Sequence, residues 1–275
     1  MRTYVITGGT DGMGKGLGLH LLQRGDRVIA VASSTAKGEA FTREAATLGA
    51  SERAEFVQAD LSTLAGMRSA LARITATTET LDGLVFGAQR FRPRREETED
   101  GYEFTLALHY LSRYTLGHGL IEALERTRTP VILNICGPGG MPGRIHWNDL
   151  HLHENYTGTR AAMQSSRAND LLGIAFPQRH PTAHTRYILY NPLMVRTAMA
   201  DPLPTPQRLL TRAAGYLVGQ PVHKAVPPLT RLLDEPPTDP VTAFRRRTRL
   251  PLTGKDFAPA QATRLDAITA ELVRG

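Results

Sequence analysis

Glycines spaced so that a phosphate could touch bare backbone are the first feature of this sequence able to do chemistry. Thr7-Gly8-Gly9-Thr10-Asp11-Gly12-Met13-Gly14 follows a short apolar run, Tyr4-Val5-Ile6. It leads into Lys15-Gly16-Leu17-Gly18-Leu19-His20-Leu21-Leu22, where Leu17 and Leu21 share one helical face. Strand, glycine turn and helix in that order are the context a dinucleotide-binding turn requires. Without side chains the main chain turns tightly and a pyrophosphate comes close to it. The helix beyond aims unpaired N–H groups and the positive end of its dipole at that phosphate.

The elements around this turn must position it. Val28-Ile29-Ala30-Val31-Ala32 reads as a second buried strand, and Ser33, Ser34 and Lys37 follow it. An acid at this strand end would hold a ribose 2′-hydroxyl and repel a 2′-phosphate. Two hydroxyls and a cation suit the phosphate, so NADP(H) is expected rather than NAD(H). Helices are expected over 36–48, 63–77, 101–126, 159–176 and 258–274, and further strands over 54–61, 81–88, 130–135 and 187–190. This alternation predicts an α/β, doubly wound parallel sheet of about seven strands in a single domain over 1–275. Residues 201–240 are rich in proline and are expected to insert as a substrate cap.

Composition bounds the classes. At 275 residues and 41% hydrophobic, the chain can bury a proper core. Its apolar runs are too short for a membrane span, no signal peptide precedes the first strand, and the single cysteine, Cys136, cannot form an internal disulfide. The expected setting is the cytoplasm. Basic residues exceed acidic ones by seven. Apart from Arg92-Pro93-Arg94-Arg95 and Arg245-Arg246-Arg247 the arginines are dispersed, with no interleaved aromatic ladder. A solvated basic surface facing an anionic cofactor is expected, and no nucleic-acid partner. The Ala/Arg/Pro-rich composition resembles that of high-GC bacteria, which suggests natural-product chemistry.

The T-G-x-x-x-G-x-G spacing of the turn resembles the short-chain dehydrogenase/reductase family, and further matches extend over nearly the full length. Gly101-Tyr102-Glu103, the loop 143–150, the trio Ser165, Ala168 and Asn169, and Pro192, Val195 and Thr197 are similar to the branch that includes retinol dehydrogenases, although Leu193 replaces that branch's glycine. The resemblance implies cofactor contacts from Thr7, Gly8, Thr10, Asp11, Gly12, Met13 and Gly14, and from Ser33, Ser34 and Lys37. It adds Asp60 and Leu61 at the adenine, Ala88 after the fourth strand, and Pro192, Val195 and Thr197 near the nicotinamide. It also implies a small-molecule substrate and a homo-dimer or homo-tetramer built on the long helices.

The family's proton-transfer residues are a serine, a tyrosine, a lysine four positions later and an asparagine. A gap-free match from Asn134 to Asn169 places Gly137, Ala162 and Ser166 at the first three, and His109 stands at the fourth. All four are replaced. His109 is the candidate substitute acid, because an ordinary imidazole near 6.5 exchanges protons around neutrality. Tyr110, Tyr156 and His146 are weaker candidates. Tyr156 with Arg160 imitates the tyrosine–lysine spacing, but adopting that register would forfeit Ser165, Ala168 and Asn169. Cys136 reads as a small buried hydrophobe, and His146, Asp149, His151, His153 and Glu154 match no metal-ligand pattern. Three functions follow: an NADPH-dependent reductase of a conjugated C=C, C=N or C=O bond, a redox-neutral cyclase, isomerase or pericyclase, and a non-catalytic NADP(H)-binding protein.

Overall fold

The computed structural model describes residues 1–139, 142–196 and 219–274. Strands β1 (Thr3–Thr7), β2 (Arg27–Ala32), β3 (Ala54–Gln58), β4 (Gly83–Phe86), β5 (Val131–Ile135), β6 (Arg186–Asn191) and β7 (Val241–Arg245) run parallel. A short eighth, β8 (Thr248–Leu250), turns back antiparallel on β7. The order β3-β2-β1-β4-β5-β6-β7-β8 is the doubly wound arrangement, with its direction reversing between β1 and β4. The sheet thus carries one strand more than expected. The extra strand is β8, whose three mostly exposed residues carry no apolar alternation to betray it.

Helices cover both faces because the central strands are apolar on both sides. On one face α1 (Gly12–Gln23) and α2 (Thr35–Thr47) place Leu17, Leu21, Leu22 and Phe41 over Tyr4, Ile6 and Val28. On the other lie α3 (Leu64–Thr77), α4 (104–119), α5 (Ile121–Glu125), α6 (Gly158–Arg179) and α8 (Pro259–Leu272). Met67, Leu111, Leu116, Leu171 and Leu265 bury there against Val5, Leu84 and Ile132. Helix α7 (Val222–Asp234) returns to the first face, where Val226, Leu229 and Leu233 join the cluster around Leu17 and Tyr4.

The expected cap over 201–240 needs correction in its second part. Residues 201–218 lie outside the described residues, but Val222–Asp234 is a scaffold helix, packed so tightly on α1 that a Cβ on Gly16 would lie 2.5 Å from Val222 Cγ1. The prolines misled: Pro227 and Pro228 fall in the helix's second turn, where each removes a backbone donor. The carbonyls left without one belong to the exposed residues His223 and Lys224, where water can satisfy them.

Helix α4 is not uniform. It begins at Phe104–Leu106, widens into a π-helical stretch over Ala107–Leu111 that contains His109, and continues as Ser112–Gly119. Such wide turns inside helices are frequent at functional sites. Its N-terminus is capped by the buried Glu103 carboxylate, which accepts from the N–H groups of Thr105 (2.9 Å) and Leu106 (2.6 Å). Replacing Glu103 with Ala should therefore lower the unfolding free energy by about 1–2 kcal/mol, read from the midpoint of urea denaturation at unchanged slope.

Candidate functional site

The glycine turn lies where β1 ends and β4 begins to diverge from it, at the switch point of the sheet. Gly8 and Gly12 adopt left-handed φ values of 68° and 51°. A Cβ on Gly8 would come within 2.9 Å of the Ala88 backbone, and one on Gly14 within 2.3 Å of the Gly8 carbonyl oxygen. Both glycines are therefore demanded by backbone packing. Thr7 ties the two strand ends together, its Oγ1 accepting from the N–H groups of Gly87 (3.2 Å) and Ala88 (3.3 Å). Met13 packs beside the cluster formed by Leu17 and Ile6, and Thr10 is buried under the turn. The N-terminus of α1 thus presents glycine backbone, which fits a pyrophosphate.

Two of the expected contacts are already engaged. Asp11 caps α1 by accepting from the Gly12 N–H at 2.7 Å and forms an ion pair with Lys37. Ser34 caps α2 by accepting from the Lys37 N–H at 3.4 Å, while Ser33 is exposed beside it. Lys37 is thus at the expected strand end, but its ammonium is held by an acid. Asp60, exposed after β3, accepts from the Ser62 N–H (2.9 Å) and hydroxyl (2.7 Å), and Leu61 is buried behind it. After β6, Pro192 is buried, Val195 bridges to Gln220, and Thr197 lies outside the described residues. Leu193 holds φ at 60°, a left-handed conformation that suits glycine, so the backbone shape of the expected glycine survives without the glycine.

Gly137, Ala162 and Ser166 converge at the end of β5 and the facing side of α6. Ser166 Oγ donates to the Gly137 carbonyl at 3.1 Å, so this hydroxyl is engaged inside the protein. Arg167 donates to the Gly143 carbonyl (3.2 Å), and Asp170 accepts from the Gly139 N–H (3.3 Å), which fastens the glycine loop to α6.

His109 behaves unlike the expected acid. Its Nε2 accepts from the Arg90 backbone N–H at 3.0 Å, which makes that nitrogen the unprotonated one. Burial, and then the nearby Arg113 cation, push its pKa down to about 3. Near neutrality it is a neutral acceptor that pins the loop after β4, because ionising it would put a second charge beside Arg113 and break the Arg90 bond.

Arg113 is the residue the sequence pattern missed, since an arginine on a long helix reads as solvated. It is 2% exposed. Its Nη1 donates to Asn134 Oδ1, to the Ile135 carbonyl (3.0 Å) and to Asn169 Oδ1 (3.4 Å), and its Nη2 to the Ala88 carbonyl (3.4 Å). None of these acceptors is a carboxylate. Burial lowers its pKa. Asn169 Nδ2 in turn donates to the His109 carbonyl at 2.8 Å. The only advance signal was the pairing of Asn134 with Asn169, two amides at buried positions.

The remaining candidates have structural duties. Tyr156 precedes α6 and reaches the Arg92 carbonyl (3.2 Å) and Glu103 (3.3 Å), away from the Ala162 and Ser166 positions. Tyr110 is buried on Thr269, at 2.7 Å. Asp149 caps a turn through the His153 and Glu154 N–H groups, His146 packs on Arg160, and His151 stacks on Tyr102. Burial raises the pKa of Cys136. Among the described residues no group of His, Cys, Asp and Glu could hold a metal.

A family model for short chain dehydrogenases matches residues 2–166. The chain belongs to the short-chain dehydrogenase family. It is 27% identical to retinol dehydrogenase 11 of Mus musculus over 205 residues, 70% of this chain and 65% of that protein. It is 25% identical to dehydrogenase/reductase SDR family member 12 of Bos taurus, over 99% of this chain and 86% of that one. It spans between half and two thirds of the length of several retinol dehydrogenase relatives. Its fold superposes on an NADP active-site complex of RhlG from Pseudomonas aeruginosa with a TM-score of 0.68 at 20% identity, covering 89% and 94% of the two chains. No helix among the described residues is long and apolar enough to cross a membrane.

The neutral state of His109 has a measurable consequence. Its folded-state pKa lies below the unfolded value of about 6.5, so on acidification the unfolded chain takes up that proton first. Its contribution to stability is therefore present above pH 6.5 and lost as pH falls toward 3. The imidazole resonances of His109 should remain those of the neutral ring from pH 8 down to about 4.5. His109→Gln should make the fall in stability across pH 6.5–4.5 shallower.

Proposed function

We propose that the protein is an NADP(H)-dependent reductase that acts on a conjugated C=C, C=N or C=O bond of a small organic substrate without a tyrosine–lysine proton donor. The observation that carries this reading is a contrast within one cleft. The turn has no room for a side chain at Gly8 or Gly14, whereas the neighbouring positions Gly137, Ala162 and Ser166 offer no acid, and the one hydroxyl among them is bonded to a carbonyl.

A bound nicotinamide would supply hydride; the protein's residues bind, orient and shield. Thr7, Thr10, Met13 and the turn glycines would hold the pyrophosphate, Ser33, Ser34 and Lys37 the 2′-phosphate, Asp60 and Leu61 the adenine, and Ala88, Pro192, Val195 and Thr197 the nicotinamide half. Gly137 and Ala162 leave room for substrate where the family places its catalytic side chains. Arg113, a cation whose partners are neutral oxygens, biases the floor of this region toward negative charge developing on the substrate. An enone suits such a site, because its developing negative charge is delocalised and protonated later by water; an iminium fits only the lack of an acid, since its reduction needs no proton donor. A simple ketone is less suited, because loss of general acid catalysis costs about 10²–10⁴-fold. The small residues at 137 and 162 equally suit a redox-neutral isomerase or cyclase that uses the enlarged cleft and keeps its cofactor unchanged.

Oxidation of NADPH followed at 340 nm with cyclic imines, enones and unactivated ketones tests the reading. Consumption with the first two and not the third is expected. Product formed without change in cofactor absorbance would replace it by the redox-neutral reading. Cofactor preference is checked separately by calorimetry. Lys37→Ala should weaken NADPH binding about tenfold with little effect on NADH, the size of one charged hydrogen bond. Asp11→Asn should tighten NADPH, since it releases Lys37 from its ion pair.

A further inference from the structure

A pocket of about 750 Å³ opens between the first turns of α7 and the β7–β8 hairpin. Lys224 lines it from the helix, and Arg245, Arg246 and Arg247 line it from the hairpin. No acidic residue is among its described lining, and none of these four side chains has an ion pair or hydrogen bond to another described residue. All four side chains are exposed, so together they set up a positive potential that draws anions to the pocket.

Three further observations point the same way. Tyr190, buried on β6, also lines the pocket, and its hydroxyl has no hydrogen-bond partner among the described residues. A buried hydroxyl without a partner is costly unless a ligand completes it. Helix α7 begins at this pocket with no side chain capping its N-terminus and no acid in its first turn, so its dipole adds positive potential. Arg246 sits at the hairpin tip with φ at 54°, where glycine or asparagine is the unstrained choice.

We infer that this pocket binds the phosphate or pyrophosphate group of a small ligand, held by Arg246, Arg247, Lys224 and the Tyr190 hydroxyl. It is distinct from the α1 cradle. The first residue of α7, Val222, packs against Gly16 in the second turn of α1, so the two helix N-termini are staggered rather than shared. An arginine fork and a helix N-terminus are matched to phosphate oxygens, whereas a carboxylate would use only part of the donor set. Pro227 and Pro228 line the same pocket, so an organic group attached to the phosphate has apolar surface to lie on.

Inorganic pyrophosphate, titrated by calorimetry at fixed ionic strength with and without excess NADPH, tests the site. Binding should persist in the presence of NADPH and weaken at least tenfold in the Arg246→Gly/Arg247→Glu double variant, with NADPH affinity unaltered. Arg246→Gly alone should raise the thermal midpoint, because it relieves the left-handed residue, while still weakening pyrophosphate. This separates loss of the site from loss of the fold. Phenyl phosphate binding more tightly than inorganic phosphate would identify an organic phosphate ester, and the reverse order a free inorganic anion. Unchanged pyrophosphate affinity in the double variant, or binding abolished by NADPH, would overturn the inference.

Discussion

A positive charge buried among neutral oxygens holds this molecule's centre together. Arg113 leaves water entirely, a transfer that a lone ion makes only at several kcal/mol, and its partners are two amides and two strand-end carbonyls rather than a carboxylate. Those partners come from β4, β5 and α6, while the arginine itself comes from α4. The carbonyls of Ala88, two residues past β4, and of Ile135, the last residue of β5, lie at the strand ends, where side chains replace the ladder as donors, Gln89 sharing the Ile135 carbonyl at 3.0 Å. One guanidinium meets both needs. The mutual orientation of four elements around the cleft floor therefore depends on a single planar fork, a role lysine could not fill.

That arrangement sets the electrostatics of everything nearby. With Arg113 ionised, His109 four residues earlier stays neutral and serves as an acceptor for Arg90. The His109 carbonyl, within the wide turn of α4, takes its proton donor from Asn169, and Asn169 also faces Arg113. On the reading proposed above, having small side chains at 137, 162 and 166 does not leave a ruined site. It leaves one in which positive charge is structural and fixed, and no side chain at those positions carries a mobile proton. A chemistry that asks for orientation and charge compensation is consistent with it, and one that asks for rapid proton delivery is not.

Much of this was legible in the chain. The run Tyr4-Val5-Ile6 followed by spaced glycines identified β1, the turn and α1, because the apolar run, the backbone demands and the helical spacing are local properties. Long-range facts were not readable. Nothing around Arg113 in the sequence says that its partners lie at residues 88, 134, 135 and 169. Lys37 was placed at the correct strand end, yet its pairing with Asp11 depends on a contact across two elements. Proline-rich 219–240 looked like irregular cap because proline counts against helix locally, whereas burial of Val226, Leu229 and Leu233 decided otherwise.

Leu193 and Arg246 bring these points together. Both hold left-handed backbone with ordinary side chains, a conformation costing about 1–2 kcal/mol per residue. They are joined through one residue: Asn191 accepts from the Leu193 N–H by its side chain and from the Arg246 N–H by its carbonyl, each at 2.8 Å. The last residue of β6 thus pins two strained turns at the same sheet edge, one expected beside the nicotinamide and one at the basic pocket. Neither turn would keep its shape on local preference alone. Glycine would relax both, so the side chains at these positions are retained against backbone preference. For Arg246 the charge it brings to the pocket explains that cost. For Leu193, 45% exposed at the mouth of the same pocket, the structure offers apolar surface to a ligand and nothing to the core. If the basic pocket takes the anion inferred above, this corner is shaped by what it binds as well as by how it folds.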